Sequence, residues 1–126
     1  MGGRYVIEIH ESGEDYLETI LVIKNNKGSV RAIDIAKARH FSKPSVSRAV
    51  SVLREQGYVD VIDGKIELTQ EGRQIAEDIY EKHQLLMAML MRLGVDEETA
   101  AMDACKIEHT LSPKTFACLK AHFKEK

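Results

Sequence analysis

The stretch "ACKIEHTLS" at 104–112 sets a thiol, a carboxylate and an imidazole, those of Cys105, Glu108 and His109, at positions i, i+3 and i+4. On a helix that spacing brings all three to one face, with Met102 one turn earlier on it. Together they form a donor set suited to a divalent transition metal. Separately each has a plainer reading: a lone helical Cys is ordinarily a small buried hydrophobe, and a lone His near a cap a satisfied polar group. Two further segments carry ligand types, namely Asp15 and Glu18, one turn apart, and His83 far downstream. Asp15 also suits the N3 place of a capping box begun by Ser12, Glu18 a surface acid beside Lys24, and His83 a core or interface histidine.

A second chemistry is written in the charge. Between Lys24 and Arg54 eight Lys/Arg face one acid, Asp34, so this window carries +7 in a chain of net charge −2 and the rest holds −9. Such asymmetry points to a basic face for a polyanion and an acidic region for something cationic, where an even spread would be only a solvated surface. The 126 residues suffice for one domain or two small halves sharing a core. No stretch reaches the roughly 18 to 20 apolar residues of a membrane span, and "MGGRYVIEIHESG" lacks an apolar run behind a basic head. A cytoplasmic protein with no membrane partner is expected, its two cysteines, Cys105 and Cys118, being free thiols in a reducing compartment.

The elements that must position these groups follow from periodicity and punctuation. Ser12 with Asp15 resembles a capping box, and Tyr16, Leu17, Ile20, Leu21 and Ile23 predict a helix running to "NNKG" at 25–28. "RAIDIAKA" at 31–38 predicts a short helix with Ile35 and Ala36 facing inward. After the tight connection "RHFS", Ser42 caps another helix, with Pro44 in its first turn and Val46, Ala49, Val50 and Leu53 on its buried face. After Gly57 the period changes to two: "YVDVI" and "KIEL" flank Asp63-Gly64, a dipeptide suited to a type I′ hairpin. Thr69 begins a long helix over about 70–93. Its second half, "LLMAMLMRLG", is apolar on more than one side and predicts a dimer interface at Leu85, Leu86, Met89 and Leu90. Asp96 caps the next helix, and Ser112-Pro113 starts the last. Residues 1–11 are compatible with a strand, a helical extension or a loose segment.

Helix, short helix, turn, helix and hairpin is the order of a winged helix-turn-helix, and the +7 window coincides with it. Ser42, Lys43, Pro44, Ser45, Ser47 and Arg48 lie at the N-terminal end of the recognition helix, 43–56, which is the end that enters the major groove in this motif. Hydroxyls and the helix N-terminus suit phosphate oxygens, while Arg48 suits either a guanine edge or the backbone. Arg31 and Lys65 join them as basic candidates at the wing, and each phosphate contact makes binding more sensitive to salt. The fold expected is mainly α: a winged helix-turn-helix domain over 1–72, followed by an α-helical metal-binding and dimerisation domain over 73–126.

Several long motifs occur in one order: "EDYLETI", "FSKPSVSRAVSVLREQGYV", "LTQEG", "KHQLL" and "ACKIEHTLS". In these the chain resembles the diphtheria-toxin-repressor family of metal-dependent transcriptional regulators from about Ser12 to Phe123. Its length is similar to that of the shorter manganese transport regulators, which lack the family's SH3-like domain. The resemblance implies metal ligation by Asp15, Glu18, His83, Glu108 and His109. Cys105 departs from the manganese type, which has glutamate there, and agrees with the iron type. Asp15 and Glu18 in turn agree with the manganese type, so the set is a hybrid. Carboxylate and imidazole suit Mn²⁺ and Fe²⁺, and the thiolate moves preference toward Fe²⁺, Zn²⁺, Co²⁺ or Ni²⁺, the last three at least in vitro. One principal site is expected, with a second, weaker one through Glu18.

The resulting expectation is a homodimeric, non-enzymatic repressor of metal-uptake genes. It acts on a palindromic double-stranded operator, is activated by Mn²⁺ or Fe²⁺ and takes no small-molecule substrate. The alternatives are a metal-independent winged-helix regulator that senses a small molecule, a winged helix used as a protein-interaction module, and a metalloenzyme using the Cys105/Glu108/His109 face.

Overall fold

The structure is a computed structural model that describes residues 2–124, with side chains described from 13 to 123. The element order is α1 (Gly2–Lys27), α2 (Ala32–Arg39), α3 (Lys43–Glu55), β1 (Val59–Ile62), β2 (Lys65–Leu68), α4 (Gln70–Arg92), α5 (Glu97–Ile107) and α6 (Pro113–Lys124). The chain divides into two compact units, Met1–Glu77 and Asp78–Lys126, with the division inside α4.

In the first unit the inward stripe of α1, Tyr16, Leu17, Ile20 and Leu21, is buried together with Val30, Ile35, Val46, Leu53, Val59 and Ile66. Helical periodicity places the α1 positions and Ile35, Val46 and Leu53 in the core; Val30, Val59 and Ile66 are added by the structure, and Ile23 and Ala49 are only half-buried. α2 starts from Arg31, whose backbone N–H donates to Asp34 Oδ2 at 2.9 Å. Lys27 adds a contact of 2.6 Å to the same carboxylate. The Lys27 hydrogen bond, followed by that from the Arg31 amide, holds the Asp34 carboxyl below the ordinary carboxylate range. The helix-turn-helix bend is made by His40 in the left-handed region (φ 58°), after which the Phe41 amide donates back to Ala36 O at 3.1 Å. Ser42 then caps α3 as expected, its Oγ accepting from the Ser45 amide at 3.3 Å.

The wing is an antiparallel pair with Val59 opposite Leu68 and Ile62 opposite Lys65. Its turn residues, Asp63 (φ 52°) and Gly64 (φ 78°), both have positive φ, as a type I′ turn requires. The Ile66 amide donates to Val30 O at 2.7 Å, tying the wing to the α1–α2 connection. Thr69 caps α4 through the Gly72 amide (3.1 Å), and its own hydroxyl donates to Gly57 O (2.7 Å). Gly72 is required here, because a Cβ would collide with the Tyr58 carbonyl.

In the second unit Asp96 caps α5 through the Thr99 amide at 3.0 Å, and Ser112 caps α6 through the Thr115 amide at 3.1 Å. α6 is held along α4 by Lys120 on Glu81 (2.5 Å) and by the Arg92 guanidinium over the Phe123 ring (4.9 Å).

Two local expectations are corrected. The backbone of α1 runs from Gly2 straight through Ser12, so no helix begins there and residues 2–12 are a helical extension. A serine cap contributes only about 1 kcal/mol, whereas helix already nucleated upstream gains a hydrogen bond with each further residue. The ligand-bearing helix α5 ends at Ile107, so Glu108 is its C-cap and His109 lies in the turn beyond. Met102 is 58 % exposed and does not share the buried side of that segment.

Candidate metal centre and nucleic-acid interface

The basic candidates stand where a duplex could reach them. Arg31, Ser42, Lys43, Pro44, Ser47, Arg48 and Lys65 are exposed. Ser45 is half-buried and accepts a hydrogen bond from the Ser42 hydroxyl at 2.9 Å, so these two hydroxyls form a small polar cluster at the mouth of α3. Arg31 reaches across to the wing turn, its Nη1 donating to Asp63 O at 3.4 Å. Periodicity did not foresee this tie, since it joins residues 32 apart in sequence. Two side chains absent from the sequence-based candidate set also matter. The Arg39 guanidinium lies over the Phe41 ring at 5.5 Å, and that ring meets Tyr16 at a centroid distance of 5.2 Å. Burial pushes the Tyr16 hydroxyl above its ordinary value, against the opposing pull of Arg39 and Arg48. The only sequence signal for this cluster was an arginine and an aromatic flanking a residue in a tight bend.

The second unit assembles a compact group of metal-ligand types. The carboxyl group of Glu108 is wholly inaccessible. His83, from the middle of α4, places Nδ1 2.8 Å from Glu108 Oε1, while His109 Nε2 lies 3.7 Å from Oε2. The donor atoms of Cys105, Glu108 and His109 are all within 4.8 Å of one another. Cys105 is half-buried and the His109 side chain is 5 % exposed. A carboxylate taken this far from water is costly unless positive charge accompanies it. The C-terminal end of α5 adds carbonyl dipoles that likewise favour a cation. Glu108 with Cys105 and His109 at one oxygen, and with His83 at the other, offers donors that fit divalent transition metals, whose N, O and S ligands bond at about 2.0 to 2.3 Å.

In the first unit Asp15 and Glu18 stand one turn apart on α1. Asp15 Oδ2 is 3.7 Å from Arg39 Nη2, and Glu18 is buried at 8 % exposure, unlike the surface acid that its neighbourhood suggested. The Thr19 hydroxyl donates to the Asp15 carbonyl at 2.8 Å. Of the apolar residues expected at an interface, Leu86 is buried within the chain, while Leu85, Met89 and Leu90 are half-exposed. Met91 and Leu93 beside them are 42 % and 80 % exposed.

A winged helix-turn-helix with a basic reading head, joined to a helical unit that gathers metal ligands and leaves apolar helix surface uncovered, defines a metal-dependent DNA-binding regulator. The chain belongs to the iron-dependent repressor family: residues 8–65 match its N-terminal DNA-binding domain and residues 69–125 its metal-binding and dimerisation domain. It is 38 % identical over 113 residues to an uncharacterised HTH-type transcriptional regulator of Methanocaldococcus jannaschii, covering 87 % of this chain and 90 % of that one. It is 34 % identical over 117 residues to the transcriptional regulator MntR of Escherichia coli O6:H1, covering 90 % of this chain and 76 % of the relative. Among solved structures, that of the manganese regulator SloR superposes with a TM-score of 0.81 at 27 % identity over 90 % of this chain. This chain spans 54 % of the SloR chain. Among the described residues no helix is long and apolar enough to cross a membrane.

Proposed function

We propose that the protein is a cytoplasmic, non-enzymatic repressor of metal-uptake genes, activated by Mn²⁺ or Fe²⁺. Asp15, Glu18, His83, Cys105, Glu108 and His109 are its ligands, and Ser42, Lys43, Pro44, Ser45, Ser47, Arg48, Arg31 and Lys65 meet operator DNA. Residues 1–72 form the DNA-reading part, and 73–126 the metal-binding and dimerisation part. The observation that carries this reading is the buried Glu108 carboxylate with His83, His109 and Cys105 around it, in a chain that also presents an exposed basic recognition helix.

A divalent cation bound there supplies the positive charge that a buried carboxylate group needs and a coordination sphere that several segments complete together. Asp15 and Glu18 carry the requirement to α1, and α1 leads directly into the helix-turn-helix. The position of the reading head therefore depends on whether its acids are engaged. In a dimer built on Leu85, Met89 and Leu90, with Leu86 held inside the chain behind them, that position sets the separation of the two recognition helices. The separation must match half-sites one duplex turn, or a multiple of it, apart.

The cavity lined by Gly13, Leu17, Leu53 and Tyr58 in the first unit is about 60 Å³, against the roughly 300 to 1,000 Å³ of ordinary ligand sites. The test is DNA binding by fluorescence anisotropy, using a duplex selected from a random pool by the Mn²⁺-loaded protein. Affinity is expected to fall when EDTA is added and to return with excess Mn²⁺. Binding indifferent to the chelator would overturn the proposal.

A further inference from the structure

Arg39 is the last residue of α2, and two contacts converge on it, one of them extended by a third. Its Nη2 is 3.7 Å from Asp15 Oδ2, its guanidinium lies over Phe41 at 5.5 Å, and Phe41 rests on Tyr16, the neighbour of Asp15. The guanidinium thus bridges α1 and the turn that leads into the recognition helix. The Arg39 and Asp15 side chains are 31 % and 23 % exposed, so solvent screens the pair and it can exchange. Phe41 supports the arginine from one side, which keeps it close to the bend whichever anion it pairs with.

We propose that Arg39 is a switchable phosphate contact: it pairs with Asp15 in the metal-free chain and turns to the DNA backbone when Asp15 becomes a metal ligand. The inference rests on the proposed role of Asp15 in coordination. A carboxylate engaged by a divalent cation presents less negative charge and has a positive centre beside it, so the attraction holding the guanidinium weakens. Arginine cannot discharge itself by losing a proton, and its fork matches phosphate as well as carboxylate. In a helix-turn-helix the first helix of the motif crosses the phosphodiester backbone, and Arg39 ends that helix inside the +7 window.

Two consequences follow. Without DNA, Arg39 opposes metal binding, because it adds a positive charge beside the cation and must give up Asp15. With DNA, that opposition is relieved, so Arg39 enlarges the reciprocal coupling between metal and operator.

The test uses the full chain, with Mn²⁺ affinity measured by isothermal titration. DNA affinity is measured on the pool-selected duplex, over a salt series with either Mn²⁺ or EDTA. Arg39→Gln is expected to bind Mn²⁺ on the order of tenfold more tightly in the absence of DNA, through loss of a like charge close to the ion. The ratio of its DNA affinities with and without Mn²⁺ falls several-fold. Its salt slope in Mn²⁺ shrinks by about 0.9, one phosphate contact, with the slope in EDTA unchanged. Arg39→Met, which retains the contact with Phe41, gives the same readings should the glutamine variant fold poorly, and Arg39→Lys stays near wild type in Mn²⁺ affinity. Wild-type Mn²⁺ affinity or undiminished coupling in both uncharged variants overturns the proposal. Asp15→Asn separates the two levels. If it weakens Mn²⁺ binding while the uncharged Arg39 variants behave as wild type, the role of Arg39 fails and the ligand reading stands. If it leaves Mn²⁺ binding unchanged, the assignment of Asp15 fails and the switch with it.

Discussion

In the proposed donor set, Cys105 is the residue that distinguishes one metal from another. Its thiol stands with Glu108 and His109 inside a 4.8 Å circle, so its identity changes the softness of the set without moving the other donors. A thiolate favours Zn²⁺, Co²⁺ and Fe²⁺ over Mn²⁺, and a carboxylate at the same place restores an oxygen-rich sphere. Cys105→Glu is therefore expected to raise Mn²⁺ affinity relative to Zn²⁺ and Co²⁺. Competition titrations with the three ions check this, and an unchanged order of affinities would remove Cys105 from the ligand set. The types and spacing of Cys105, Glu108 and His109 were legible in the sequence because a helical turn fixes the neighbours of residue i. The 2.8 Å contact of His83 with Glu108 was not legible, since it joins positions 25 apart through packing of α4 against the end of α5.

At the scale of elements, the junction between the wing and α4 is tightly specified. Thr69 satisfies the Gly72 amide and, through its hydroxyl, the Gly57 carbonyl, so one side chain closes both the end of the α3–β1 turn and the start of α4. Thr69→Ala is expected to destabilise by about 1 to 2 kcal/mol, the usual worth of a lost cap. Gly72→Ala should cost more, roughly 2 kcal/mol or above, because its methyl group has nowhere to go but into the Tyr58 carbonyl. Urea unfolding measures both, and a Gly72→Ala variant as stable as wild type would contradict the close approach. Caps at Ser42, Thr69, Asp96 and Ser112 and the Asp63-Gly64 turn were all readable in advance, because each acts within four residues of chain. The start of α1 was misread for the complementary reason. Ser12 carries a local capping signal, but helix already present upstream overrides it.

For the whole molecule, assembly turns on the end of α4. Leu85, Met89 and Leu90 are half-exposed while Met91 and Leu93 are more exposed still, a run of apolar surface that an isolated chain leaves in water. The family's C-terminal domain is a dimerisation domain, and in this chain that stretch lies inside the match at 69–125. Leu85→Glu is expected to weaken self-association by on the order of a hundredfold or more, since it buries a charge in an apolar interface. Sedimentation equilibrium reads the change directly. DNA affinity should fall with it, because one reading head holds only a half-site. A variant that remains dimeric would place the interface elsewhere.

Periodicity, caps and the clustering of basic residues dictated the element order, the winged helix-turn-helix and the choice of recognition helix, because each of these depends on residues within a turn or two of one another. The donor types at 105, 108 and 109 were equally plain. Only tertiary packing decided that Glu108 is fully withdrawn from water beside His83, that Glu18 is buried and that Arg39 sits on Asp15. Those are distances between segments far apart along the chain. No local rule sets them, because they depend on how the helices pack once their apolar faces have left water.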